Sequence, residues 1–78
     1  NDKIGKGSAR SIVGFDIGSQ IIKAVQTGIL LKGGGHKMAG GFSFKKEKIN
    51  IFRDFLIKNY QGFFLIPFRE LTKIQEYK

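Results

Sequence analysis

The 78-residue sequence has no cysteine, one histidine, one proline and only six acidic residues against fourteen basic ones. Each shortage excludes something. Without cysteine there is no disulfide framework and no cysteine-based zinc site, a composition compatible with a reducing cytoplasm, which is the expected compartment. One histidine and scattered carboxylates cannot furnish the converging ligands of a two-metal or zinc hydrolase, so no cofactor is expected on this chain itself. A nucleophilic triad would have to combine His36 with Ser8, Ser11, Ser19 or Ser43, and no nucleophile-elbow pattern selects among them. No signal-peptide pattern opens the sequence, and its longest apolar stretch, FFLI at residues 63–66, is far too short to cross a bilayer. A soluble protein with no membrane partner is the expectation.

What the sequence does have is glycine, phenylalanine and positive charge. Eight phenylalanines supply large side chains for a thin core, since a chain of this size buries only about 60% of the surface its unfolded form exposes. The net charge is +8, and residues 32–58 carry seven basic side chains against only Glu47 and Asp54. A positive field of this kind favours a polyanion, nucleic acid before an anionic membrane surface, although a merely solubilising basic face would look the same in composition.

The glycines of the opening NDKIGKGSARSIVGFDIGSQ argue for a strand or extended arm followed by turns. Asp16 then stands as an N-cap, Ile17, Ile21, Ile22 and Val25 recur at helical spacing, and Gly28 occupies the C′ position, which predicts a helix over residues 17–27. The apolar residues 29–31 lead into GGGHKMAGG (33–41), read as a loop, after which residues 39–44 alternate as a buried strand would. A second helix follows, with Ile49, Phe52, Phe55, Leu56 and Tyr60 inward, Lys48, Arg53 and Lys58 outward, and Gly62 as its stop. Beyond it, Pro67 reads as N1 of a short last helix with Leu71 and Ile74 inward. The fold class is α/β: a small mixed sheet with two helices, residues 1–60 forming the domain and 61–78 a C-terminal tail.

The glycine run nearly imitates two phosphate motifs. Gly35 and Gly40 have P-loop spacing, but Gly41 and Phe42 stand where lysine and a hydroxyl residue are required, and Met38 takes the place of the third glycine of a dinucleotide fingerprint. What remains is a concavity of unobstructed backbone N–H groups, with His36 and Lys37 adding donors for a phosphate or a base. Taken singly, His36 reads as a turn histidine, Met38 as core, and Lys32, Lys37, Lys45 and Lys46 as solvated charges. Ser8 and Arg10 are alternate residues, so on a strand both point to one face, where hydroxyl and guanidinium can grip one phosphate; otherwise Arg10 is exposed or paired with Asp16.

Two segments together, GSARSIVGFDIG (7–18) and LLKGGGHKMAGGF (30–42), separated by a short amphipathic helix, resemble the DHH-associated domain of the RecJ family of single-strand-specific DNA exonucleases. The resemblance covers residues 6–59. It implies a domain that faces a catalytic DHH domain, which holds manganese or magnesium and degrades single-stranded DNA from its 5′ end. It further implies that Gly33, Gly34, Gly35 and His36, with Lys37 beside them, line the strand path, and that Ser8 and Arg10 hold the 5′ phosphate. Val13 and Gly40 depart from the family's usual proline and alanine. No DHH sequence occurs, the domain's opening elements are missing, and the tail after Gly62 does not follow the family. The expectation is therefore a partial domain, a fragment, split-gene product or remnant, inactive alone, whose partners are single-stranded DNA and a separate DHH chain. Two rivals stand beside it: a piece of an oligoribonuclease or nucleotide phosphatase of the same superfamily, and a non-catalytic interaction module with unpaired strand edges.

Overall fold

A computed structural model describes residues 3–12, 14–60 and 72–77. Strand β1 (Ile4–Ser11) leads to helix α1 (Ile17–Gln26), then to strands β2 (Lys32–Gly35) and β3 (Ala39–Lys45). A 3-10 turn over Lys46–Lys48 opens helix α2 (Ile49–Lys58), and strand β4 (Thr72–Tyr77) closes the described chain. The strands form one sheet in the order β2-β3-β1-β4, and every pairing in it is antiparallel. The small sheet with two helices expected from the sequence is what forms. None of the described helices is long and apolar enough to cross a membrane.

Helix α1 starts where its cap chemistry places it. The Asp16 carboxylate accepts from the Ser19 N–H at 3.0 Å and from the Ser19 hydroxyl at 2.9 Å, so an otherwise unsatisfied N-terminal donor is paired. At the other end Gly28 takes φ +84°, a left-handed value that favours glycine, and stops the helix just after Thr27. The buried stripe is Ile17, Ile21 and Ala24, with Val25 at its margin. Ile22, grouped with that stripe in the sequence pattern, is 45% exposed, because the three- and four-residue steps from Ile17 and Ile21 reach Ala24 and Val25 instead.

Both helices cover one face of the sheet. On that face β1 presents Gly5, Gly7 and Ala9, all buried, and β3 presents Phe42 and Phe44 directly opposite Gly7 and Gly5. The small residues make room for the rings: a Cβ on Gly5 would lie 2.6 Å from the Phe44 ring, and one on Gly7 2.7 Å from the Phe42 ring. From above, α2 lowers Phe52 onto Phe42 with ring centroids 4.9 Å apart, and Leu56 lies buried one turn further along. Fully burying a side chain of this size stabilises by about 1.5–3 kcal/mol, so these three phenylalanines carry much of a small core. Lys48, expected to point outward, is half-buried, its Nζ donating to the Gly28 carbonyl at 3.2 Å. Arg53 does reach solvent and pairs with Glu76 at 2.7 Å.

The tail departs from its helical reading. Residues 61–71, with Gly62, Pro67 and Leu71, lie outside the described residues, but Thr72–Tyr77 is a strand paired along β1 from Ser11↔Thr72 to Lys6↔Tyr77. Alternation rather than helical spacing fits it: Thr72 is buried and Ile74 partly so, while Lys73 and Gln75 are exposed.

Candidate functional site

The run GGG, read from sequence as a loop with converging N–H groups, is strand β2, paired to β3 through Gly33↔Phe42, Gly34↔Gly41 and Gly35↔Gly40. Extended backbone sends successive N–H groups to opposite sides, so the three glycines form no concave nest. None of them has positive φ. Their reason is close approach: a Cβ on Gly33 would lie 2.5 Å from Cγ2 of Ile21 on α1, one on Gly35 would run into Ala39 O and Gly40 Cα, and one on Gly40 would lie 2.7 Å from Cδ1 of Ile21. The hairpin is thus pressed beneath α1. Gly34 differs, since a Cβ there would meet nothing within 4 Å, and its partner Gly41 has only the Gly7 carbonyl, at 3.8 Å. That pair forms a bare backbone floor on the face away from the helices.

The turn between β2 and β3 is tied at both sides. Ile17 N–H donates to the Lys37 carbonyl at 3.0 Å, Ser11 N–H to the Met38 carbonyl at 2.8 Å, and His36 N–H to Ala39 at 2.6 Å. The Ser11 hydroxyl donates to the Phe15 carbonyl at 2.6 Å and lies 3.3 Å from that of Lys37. Gly18 completes the contact, because any Cβ there would collide with the His36 carbonyl. Met38, expected in the core, is 49% exposed at this turn. The Asp16 carboxyl is held below its ordinary value first by the Ser19 N–H, next by the Ser19 hydroxyl and, more weakly, by the Lys37 charge, with slight burial opposing. Asp16 is thus committed to capping α1.

Register assembles the outward face. Ser8 lies opposite Gly41, which lies opposite Gly34, and Arg10 lies opposite Ala39, whose carbonyl takes the His36 N–H. Directly opposed residues share a face, so the alternate pair Ser8 and Arg10 stands over the glycine floor beside His36. One groove is lined by Ser8, Arg10, Gly34, Gly35, His36 and Gly41. Segments more than twenty residues apart in sequence thus meet at one place. Lys37 does not join them: it lines a neighbouring recess with Asp16, Ser19 and Met38, which Gly35 and His36 also border. Gly33 belongs to a third recess, with Lys6, Lys32 and Ser43.

Sequence reasoning weighed Ser11 and Ser43 only as nucleophiles and Lys32 only as a solvated charge, and it passed over Lys6 and Lys73, which no spacing rule unites with them. Lys73 reaches the face only because β4 pairs it with Arg10. At residues 4, 6, 8 and 10 of β1, 32 and 34 of β2, 39, 41, 43 and 45 of β3, and 73 and 75 of β4, no acid occurs. Chemically the face offers hydroxyl, guanidinium, imidazole and ammonium donors over exposed backbone, which suits a phosphate-bearing chain. Among the described residues no three histidine, cysteine or carboxylate side chains come together as a metal ion would need.

No curated protein and no solved structure matches the chain. Residues 1–62 match the family model of the DHHA1 domain. That match contains β1, α1, the glycine hairpin and α2, the elements that build and support the groove, and the chain therefore belongs to the DHHA1 domain family, the domain associated with phosphoesterases of the DHH superfamily.

Proposed function

We propose that this domain holds single-stranded DNA by its 5′ end for a RecJ-type 5′-to-3′ exonuclease. The observation that carries the reading is the meeting of Ser8 and Arg10 with the Gly34–Gly41 floor and His36 in one groove. In this reading Arg10 and Ser8 grip the terminal phosphate, the guanidinium supplying paired N–H donors and the hydroxyl a third. Gly34 and Gly41 let the sugar-phosphate chain lie against the backbone without a side chain in its way. His36 borders the same groove as a further donor, and Lys37 adds positive charge from the turn.

Hydrolysis is assigned elsewhere. In this reading a separate DHH domain, which holds manganese or magnesium in the family, is the partner that would supply metal and cleavage. This chain then contributes binding and position, and is inactive by itself.

Fluorescence anisotropy with 5′-phosphorylated and 5′-hydroxyl oligonucleotides tests this. The phosphorylated strand is expected to bind more tightly, and Arg10→Ala to abolish that preference while leaving the fold intact. Equal affinity for both ends would remove the terminal-phosphate role, and a clear preference for an RNA dinucleotide over longer DNA would move the domain to the oligoribonuclease branch.

A further inference from the structure

The basic face continues past Arg10. Lys6 stands opposite Ser43, and Ser43 opposite Lys32, so three adjacent strands place two lysines astride one serine on the outward face. Neighbouring strands lie about 4.8 Å apart, which puts the two lysine backbones roughly 10 Å from each other, a gap that two long ammonium arms can close onto one anion. Lys6, Lys32 and Ser43 line a single recess, with Gly33 and Gly41 in its wall. Both lysines are exposed, and the ion pair found among the described residues, Arg53 with Glu76, involves neither.

Position along β1 makes this recess more than a patch of charge. Lys6, Ser8 and Arg10 alternate on one face, so successive rows are about 6.6 Å apart and the lysine row lies about 13 Å from Arg10. The step between rows is comparable with the separation of successive phosphates on an extended single strand. We infer that Lys6, Lys32 and Ser43 form a second phosphate subsite, which takes an internal phosphodiester of the strand whose 5′ phosphate sits at Ser8 and Arg10. The inference rests on the strand-end reading above and adds a direction to it: the nucleic acid runs along β1 from Arg10 toward Lys6. Gly41, shared by both recesses, is the floor over which it passes.

The test is a ladder of 5′-phosphorylated thymidine oligonucleotides, from mononucleotide to pentanucleotide, titrated at several salt concentrations. Lys6→Ala/Lys32→Ala is compared with Lys23→Ala/Lys58→Ala, which removes equal charge from exposed positions on α1 and α2. The parent is expected to gain affinity with length. The Lys6/Lys32 variant should bind the mononucleotide like the control pair, yet lose that gain, with a log–log salt slope shallower by about 0.7 for each phosphate contact removed. Lys6→Arg/Lys32→Arg should restore the gain. If the two alanine pairs behave alike along the whole ladder while Arg10→Ala weakens every length, the terminal site stands and the second subsite is wrong. If the parent binds no member of the ladder, both readings fall together.

Discussion

The three glycines of β2 are not equivalent, and substituting them one at a time separates folding from binding. Alanine at Gly35 forces a Cβ into the backbone of Ala39 and Gly40, atoms that cannot turn aside as a side chain would. Overpacking of this kind costs about 1–3 kcal/mol. For a domain of this size each kcal/mol moves the melting temperature by roughly 4–8 °C, so Gly35→Ala should lower it by on the order of 10 °C. Gly34→Ala meets no atom within 4 Å and has no positive φ to lose, so it should leave stability unchanged or raise it by up to about 1 kcal/mol through the unfolded chain. Binding should show the opposite order. A larger side chain at Gly34, such as leucine, would stand on the floor of the groove and, on the proposed reading, lift a bound strand away from Ser8 and Arg10. Losing one hydrogen bond to a charged group costs about 1.5–3 kcal/mol, or roughly 10- to 100-fold in Kd. Thermal melts and anisotropy on the same preparations read both quantities. The reasoning is refuted if Gly34→Leu binds single-stranded DNA as the parent does, or if Gly34→Ala destabilises as much as Gly35→Ala.

Three further outcomes are expected. Phe52→Ala empties a fully buried site against Phe42 and should cost about 3–5 kcal/mol in a denaturant titration, a large share of a small domain's stability; a cost under about 1 kcal/mol would mean the two rings are not packed as described. Ser11→Ala removes the hydroxyl that donates to Phe15 beside the hairpin turn and should lower stability by about 0.5–1.5 kcal/mol, read as a melting shift of a few degrees, whereas an unchanged melting temperature would show that the backbone bond to Met38 suffices. The Asp16 carboxyl is depressed below its ordinary value of 3.8 in the folded state, so its contribution is present above that value and is lost as pH falls through the lower folded value. Melting temperatures measured across the acid range should therefore fall less steeply for Asp16→Asn than for the parent, and parallel curves would contradict the capping role.

Much of the local structure was legible in the residues themselves. Helix α1 follows from Asp16, Gly28 and the Ile17–Ile21 spacing, and α2 from Phe52 and Leu56, because caps and periodicity act within a few residues of each other. The shared face of Ser8 and Arg10 was likewise readable, as alternation on any strand places them together. The glycine run was not. Glycine has no side chain to declare a preference, so whether residues 33–35 form a loop or a strand depended on pairing with β3 and on Ile21 pressing from above. The tail was ambiguous for a similar reason: residues 72–77 became a strand through hydrogen bonds offered by β1, more than sixty positions earlier in the chain. Sequence alone therefore determined the helices, the supply of positive charge and the phosphate-seeking residue types. Only the tertiary structure decided that Arg10, His36, Gly34 and Lys32 occupy one face, because sheet register is a long-range choice, set by which side chains must be buried together and not by any residue's own propensity.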